Sequence, residues 1–438
     1  MNNIKKSGSS REKTRILFTT ACENAPYEYI STNIADSGHN LRFERRISFG
    51  LRFLQANIPE ITILEYPSRK EYLRVLSLGW DVVGYSFYAN EIPIIHKMVS
   101  AARRLNVAEL WGGNYGVITP EAAALFDRVF YGYSEGQIAK SLGISQYEFI
   151  HPPLITHFCF GKGLGLLPVG ILFTQRGCNR NCTFCQTPVF CGRTLNPISL
   201  ESIKRVINAY RRLRVGAILI LDECFGALPR QSDSVTLMLR DSALPWLPMT
   251  RVDILDRNLT EWADRGMFGA LLGIEAFRGD NLESVRKTCG IEKVLSLINR
   301  MHVLDLIAIG FFMIGFENDT EASLQEDLRQ LESLKLDIVQ VCILTPFHGT
   351  SLYQRLSEKY GIDESDLSKF DGKNLVWNHP HFSRSCIEQK LREFFQVSFP
   401  PAREIETMKR YARRVIKSAG MEAGLSFLAG SFLRANVV

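Results

Sequence analysis

Apolar and polar positions along the first third of the chain alternate between short strand-like runs and amphipathic helical stretches. Runs at 15–21, 61–66, 81–88, 108–111 and 128–131 have strand length and end in small or turn-forming residues. Between them, Leu73, Leu76 and Leu78 recur at helical spacing. Ile94, Ile95, Met98, Val99 and Ala102 make one stripe of a helix over 91–105. A short helix follows Pro120, and Ser134 is placed to cap another. This β-α-β-α order predicts an α/β domain built on a doubly wound parallel sheet (Rossmann-type), with helices on both faces. Ligands of such sheets sit at the carboxyl ends of the strands. Here those ends carry Tyr85, Ser86, Gly112, Gly113 and Gly132.

Residues 146–168 lack a clear period, contain Pro152-Pro153 and a GKGLG stretch, and read as a linker. A second β-α series begins at 169. Strands are predicted near 169–175, 217–222, 247–252, 269–275, 307–315 and 337–345, with helices near 198–214, 231–242, 257–266, 290–303 and 320–334. Six such units predict a partial (β/α)6 TIM-type barrel, open on one side. From about 386 the pattern is helical again, over 388–397, 402–418 and 424–433. The expected organisation is a tail at 1–14, a front domain at 15–145, the linker at 146–168, the barrel at 169–360 and a mostly helical C-terminal region at 361–438.

Composition narrows the classes. With 46% hydrophobic and 22% charged residues over 438 positions, the chain is expected to be globular. A net charge of +6 is too dilute to suggest a nucleic-acid partner. The longest apolar run, 306–316, falls short of the roughly 18 residues of a membrane span. The polar first fifteen residues contain no apolar signal core. Of ten cysteines, four lie within 178–191 and the others are scattered among mostly apolar neighbours, which suits reduced thiols in a cytoplasmic protein.

The candidate chemistry is the segment TQRGCNRNCTFC at 174–185, directly after the first barrel strand and so at the catalytic C-terminal mouth. Cys178, Cys182 and Cys185 follow a C-x3-C-x2-C spacing. Three thiolates can hold three corners of a cubane iron–sulfur cluster and leave one iron open. Gly177 lets the loop bend, and Arg176 and Arg180 bring positive charge towards the thiolates. The alternatives are a zinc site with Cys191 as fourth ligand, which lacks the paired spacing of zinc knuckles, and incidental cysteines.

Cys178-x3-Cys182-x2-Cys185, with Phe184, resembles the signature of the radical SAM superfamily. The segments LILDECF at 219–225, LGIE at 272–275, FFMIGFENDT at 311–320 and LTPFHGT at 344–350 are similar to later strands of that family's barrel. His348 stands where the family has a proline. The order of domains, with DVVGYS at 81–86, LWGG at 110–113, Pro120-Glu121 and FYGYSE at 130–135, resembles the branch with an N-terminal cobalamin-binding domain. No D-x-H-x-x-G motif is present, as is common in this branch.

The resemblance implies a [4Fe-4S] cluster on Cys178, Cys182 and Cys185 that binds S-adenosylmethionine (SAM) and generates a 5′-deoxyadenosyl radical. It implies SAM contacts from Phe184, Glu223, Arg251 and Glu275, with core packing of Phe184, a solvated acid or barrel ion pair for Glu223 or Glu275, and an ion pair of Arg251 with Asp253 as the competing readings. It implies cobalamin contacts at Tyr85, Ser86, Gly112, Gly113 and Gly132, although some relatives keep the domain without the corrinoid. His348 reads as a structural histidine or a proton donor. The expected partners are a small-molecule substrate and an electron donor such as flavodoxin or ferredoxin, with the front domain capping the mouth. The leading expectation is cobalamin-dependent methylation of an unactivated carbon. Its alternatives are direct radical dehydration, cyclisation or rearrangement, and a non-catalytic corrinoid- or metal-binding regulator.

Overall fold

The computed structural model describes residues 14–22, 42–43, 47–144, 149–160, 164–398, 406–407, 409–410 and 412–414. The chain first runs through β1 (Ile16–Thr20), β2 (Arg42–Phe43), α1 (Phe49–Asn57), β3 (Ile61–Leu64), α2 (Arg69–Leu76), β4 (Val82–Ser86), α3 (Ile92–Arg104), β5 (Glu109–Gly113), α4 (Pro120–Ala123), β6 (Arg128–Phe130) and α5 (Glu135–Ser141). Five of these strands form a parallel sheet in the order β3-β1-β4-β5-β6. Leu51, Leu54 and Ile138 from α1 and α5 cover one face. Tyr72, Leu76, Ile95 and Val99 from α2 and α3 cover the other. The strand order reverses between β1 and β4, which puts the ligand crevice of such sheets beyond Thr20 and Ser86. Ser134 precedes α5 as predicted but makes no side-chain cap bond.

The second half runs through β7 (Leu154–Phe160), β8 (Leu164–Leu172), β9 (Gln175–Arg176), α6 (Thr187–Cys191), β10 (Asn196–Pro197), α7 (Leu200–Arg212), β11 (Ala217–Ile220), α8 (Pro229–Asp241), β12 (Trp246–Arg251), α9 (Val252–Asp264), β13 (Gly269–Glu275), α10 (Gly279–Ser284), α11 (Ile291–Val303), β14 (Ile307–Ile314), α12 (Glu321–Leu334), β15 (Ile338–Ile343), α13 (Ser351–Lys359) and α14 (Arg384–Ser398). The sheet order β15-β14-β13-β12-β11-β8-β7-β2 contains six parallel strands, β8 to β15, in chain sequence. This is the expected partial barrel. The segment read as linker differs from expectation. Its Leu154–Phe160 stretch pairs antiparallel with β8, Leu154 opposite Ile171, and extends the barrel sheet. A strand there satisfies the open edge of β8, which an unstructured linker would leave bare. The helices expected at 402–418 and 424–433 lie largely outside the described residues, as does the tail before residue 14.

Side chains alternate across each barrel strand, so residues two apart share a face. Ile171, Leu219, Leu247, Leu271 and Ile309 point inward and form an apolar floor. The outward set packs under the helices, where Trp246 lies 5.8 Å from Phe225 and 5.9 Å from Trp262, ring centre to ring centre. The floor is completed by two residues from outside the barrel series, Leu154 of β7 and Phe53 of α1. Helix α1 therefore serves both halves, with Leu51 and Leu54 on the front sheet and Phe53 in the barrel.

Candidate active site

The inward alternation continues upward from the floor. Leu219 and Leu221 lead to Glu223, Leu247 and Met249 to Arg251, and Leu271 and Gly273 to Glu275. A chain that buries apolar side chains at the bottom of the barrel thus delivers two carboxylates and a guanidinium to its C-terminal mouth, where barrel enzymes hold their chemistry.

The cysteine loop leaves β8 through a narrow neck. Arg176 pairs with Asn196 and Gln175 with Pro197 in the β9–β10 ribbon. Asp222, fully buried, fixes the turn before it by accepting from the backbone N–H of Thr174 at 2.7 Å and from the Thr174 hydroxyl. Burial pushes the Asp222 carboxyl up to about 7, against these bonds. Gly177 follows with φ +88°, and a Cβ there would stand 2.3 Å from the Thr194 carbonyl oxygen, so only glycine fits. Further along, the Thr183 hydroxyl donates to the Ser284 carbonyl at 3.0 Å, and the Thr183 carbonyl accepts from the Leu352 N–H at 3.0 Å.

Cys178, Cys182 and Cys185 all carry free thiols on this loop. Burial raises the Cys178 thiol and pushes Cys185 up to about 11, and in both cases the neighbouring cysteines push the same way. The three sulfurs therefore sense one another's charge. Among the described residues no three His, Cys, Asp or Glu side chains converge on a single-ion site. Three thiols on one loop are the donors that a cubane iron–sulfur cluster takes at three of its corners. The donor set fits the cluster. Cys191 is an accessory to the loop: its sulfur accepts from the Cys178 N–H at 3.4 Å.

The carboxylates at the mouth are engaged. Glu223 accepts from the Gly177 N–H at 3.2 Å and from the Tyr133 hydroxyl, and burial raises its carboxyl. Glu275, at φ +70° beside a register shift in β13, meets Lys287 at 3.0 Å with both side chains 10% exposed. Burial is the largest influence on Lys287 and opposes its charge, but Glu275 and Cys182 together push the other way and its pKa is raised. Arg251 donates to Asp253 at 2.7 Å, the competing reading of its role. Arg180 has a buried Nε with no hydrogen-bond partner. Phe184 is half-buried and packs against the helix-covered core. Arg176 does not add charge to the thiolates as expected. It turns away to the front domain and Glu135, because a buried guanidinium needs a carboxylate partner. Sequence reasoning missed Tyr133, Glu135 and Asp222 as site residues. Only the acidic pair Asp222-Glu223 after a strand gave a signal.

In the front domain, Tyr85 is a core residue, 1% exposed, with its hydroxyl 2.8 Å from that of Tyr72. The Ser86 hydroxyl accepts from Asn114 at 3.2 Å. A Cβ on Gly112 would stand 2.4 Å from the Phe126 ring, and one on Gly132 would stand 2.9 Å from the Phe190 carbonyl. Both glycines are thus backed by the chain itself. Gly113 is open, its nearest neighbour being a carbonyl at 3.7 Å. Gly113 thus leaves space beside the strand ends, whereas Gly112 lies against Phe126 and Gly132 against Phe190.

The chain thus sets an open six-stranded parallel half-barrel, with a three-cysteine loop after its first strand, behind a doubly wound domain. Residues 172–331 match the family described as the Radical SAM superfamily, and the chain carries a domain of that family. It is 23% identical over 237 residues to an uncharacterized methyltransferase of Pyrococcus horikoshii, covering 53% of this chain and 51% of that protein. It is 21% identical over 323 residues to the bacteriochlorophyllide d C-12(1)-methyltransferase of Chlorobaculum tepidum, covering 67% and 69%. The chain thus spans about half the length of the first of these relatives. The fold is similar to that of TsrM from Kitasatospora setae, a radical SAM methyltransferase solved with cobalamin and a [4Fe-4S] cluster bound, with a TM-score of 0.64, 12% identity and 89% and 90% of the two chains covered. It is also similar to OxsB, a cobalamin-dependent SAM radical enzyme, with a TM-score of 0.61, 12% identity and 97% and 75% covered. No helix among the described residues is long and apolar enough to cross a membrane.

Proposed function

We propose that the protein is a radical SAM enzyme that methylates an unactivated carbon of a small metabolite with the help of cobalamin. The observation that carries the reading is the loop of Cys178, Cys182 and Cys185 at the barrel mouth, with Glu223 after β11 bonded to its Gly177 and Glu275 at the end of β13 paired with Lys287. When bound, the cluster supplies the electron that splits the carbon–sulfur bond of SAM and yields the 5′-deoxyadenosyl radical. The three cysteines hold it. Glu223 and Glu275 offer negative charge to the cationic sulfonium and ammonium of SAM, and the unpaired Nε of Arg180 offers a donor to an anionic group. The floor of Ile171, Leu219, Leu247, Leu271 and Ile309 keeps the mouth dry from below, which a carbon radical requires. Gly113 and Ser86 are the front-domain positions suited to the corrinoid. An electron donor such as flavodoxin or ferredoxin would reduce the cluster.

A second reading, direct radical dehydration, cyclisation or rearrangement with the front domain as a lid, is favoured by the way Phe126 and Phe190 already back Gly112 and Gly132. Product analysis separates the two. The protein is purified anaerobically, assayed for iron, sulfide and cobalt, and incubated with SAM and reductant. Methylation predicts 5′-deoxyadenosine together with S-adenosylhomocysteine, the remnant of the methyl donor. The lid reading predicts 5′-deoxyadenosine without S-adenosylhomocysteine and without cobalt. Undiminished 5′-deoxyadenosine from a Cys182→Ala variant would defeat the cluster assignment.

A further inference from the structure

The two residues just before the first cysteine of the loop both reach the front domain. Arg176 precedes Cys178 by two positions, and its Nη1 donates to both carboxylate oxygens of Glu135 at 2.7 and 2.8 Å. The pair is dry, with side chains 10% and 7% exposed. Three aromatic rings wall in the guanidinium: Phe53 at 4.2 Å, Phe149 at 4.3 Å and Tyr133 at 4.7 Å. An exposed pair would leave the arginine free to wander; this one fixes its direction.

Gly177, the next residue, is held by a ring of three groups. Its N–H donates to the Tyr133 hydroxyl at 3.1 Å and to Glu223 at 3.2 Å, and the same hydroxyl donates to Glu223. Tyr133 lies in the turn after β6 of the front domain and Glu135 opens α5 two residues on. That turn also reaches the far end of the loop. Gly132, at φ +75°, lies against the Phe190 carbonyl of α6, and the Tyr133 ring stands edge-on to Phe190 with centres 5.3 Å apart. One short turn of the front domain therefore touches the loop just before its first cysteine and just after its last.

We infer that Glu135 and Tyr133 are positioning residues of the cluster loop, so that the front domain is a working part of the site that holds the cluster and SAM. This rests on the proposed radical SAM reading. Glu135 acts through Arg176, and Tyr133 acts through Gly177 and Glu223. Neither side chain needs to touch cluster or nucleotide. If the contacts only glued two domains together, their loss would lower stability and leave the loaded site unchanged.

The test uses the full chain, reconstituted anaerobically with iron and sulfide. Three variants are compared: Tyr133→Phe, Glu135→Gln, and Glu135→Gln with Arg176→Gln, which leaves no charge buried alone. Iron per chain, the electron paramagnetic resonance signal of the reduced cluster with and without SAM, and the SAM dissociation constant are measured beside thermal unfolding. Tyr133→Phe keeps the ring and loses only a hydroxyl, so it tests the route without endangering the fold. A hydrogen bond to a charged group is worth about a tenfold change in an equilibrium constant. All variants are expected to keep iron, to bind SAM about tenfold more weakly, and to show a diminished SAM-induced change in the resonance signal. Wild-type SAM affinity and signal in Tyr133→Phe and in the double variant would overturn the inference while leaving the cluster reading intact. A wild-type protein that takes up no cluster would instead sink the reading beneath it.

Discussion

Replacing Gly177 with alanine tests whether the segment before Cys178 has only one course. At φ +88° an L-residue is strained by about 1–2 kcal/mol. The added Cβ would also stand 2.3 Å from the Thr194 carbonyl oxygen and 3.2 Å from the Cys191 sulfur. The sulfur can swing aside, but the carbonyl is backbone, two residues from the neck strand at Asn196, and must shift. Relief of such overpacking costs about 1–3 kcal/mol. Together about 2–5 kcal/mol are loaded onto the loop, a bias against the native loop of about thirtyfold to a few thousandfold. The barrel core lies elsewhere, so the loop should yield first. After anaerobic reconstitution, iron, sulfide and visible absorbance per chain should fall well below those of the wild type, while far-ultraviolet circular dichroism still reports a folded barrel. Gly192→Ala is the control, because its φ is +64° but nothing lies within 4 Å of the new methyl. That variant should load normally. Gly177→Ala with wild-type iron and a wild-type response to SAM would refute the argument.

Three further outcomes follow from the geometry. Burial holds His151 down at about 4, its neutral ring donating from Nδ1 to the Pro152 carbonyl at 2.7 Å and accepting the Phe173 N–H at Nε2 at 2.9 Å. The unfolded chain takes up a proton near pH 6.5 and the native chain does not. His151 should therefore contribute a loss of about 2 kcal/mol between pH 7 and pH 5, opposed by buried carboxyls such as Asp222 whose pKa is raised, so it is read as the difference in pH slope between wild type and His151→Gln in urea titrations. Lys287→Met strands Glu275 in a dry site and should cost about 3–5 kcal/mol. Adding Glu275→Gln should restore most of that stability without restoring SAM binding by equilibrium dialysis, and restored binding would remove Glu275 from the nucleotide site. Gly113→Ala enters open space and should melt as the wild type does but retain less hydroxocobalamin on gel filtration. Gly112→Ala, with its Cβ 2.4 Å from the Phe126 ring, should lose stability instead.

The barrel was legible because parallel strands buried on both faces are continuous apolar runs, and every one of its six strands was found within a few residues of its predicted place. Helix α1 was not, because Leu51 and Leu54 face the front sheet while Phe53 faces the barrel, so no single apolar stripe exists to detect. Strand β7 was hidden behind Pro152-Pro153 and broken by Thr156 and His157 within its run. The cysteine spacing exposed the loop, and the family resemblance pointed to Glu223 and Glu275, which the structure places at the barrel mouth. The direction of Arg176 was misjudged for a plain reason: its partner Glu135 lies 41 residues earlier, and charge alone cannot say which neighbour a guanidinium will choose. Glycine is similarly mute about what approaches it: open space at Gly113, a phenyl ring at Gly112.

Helix α1 has a consequence for how this architecture can be inherited and handled. Because Phe53 is made early in synthesis yet seals the underside of a barrel whose last strand ends at Ile343, the later part of the chain cannot mature as a free-standing module. Cutting the polypeptide ahead of residue 149 would uncover the oily base at Leu219, Leu247 and Ile309 and favour aggregation of what remains. Swapping the leading half for that of a distant cousin would fail for the same reason unless the plug travelled with it.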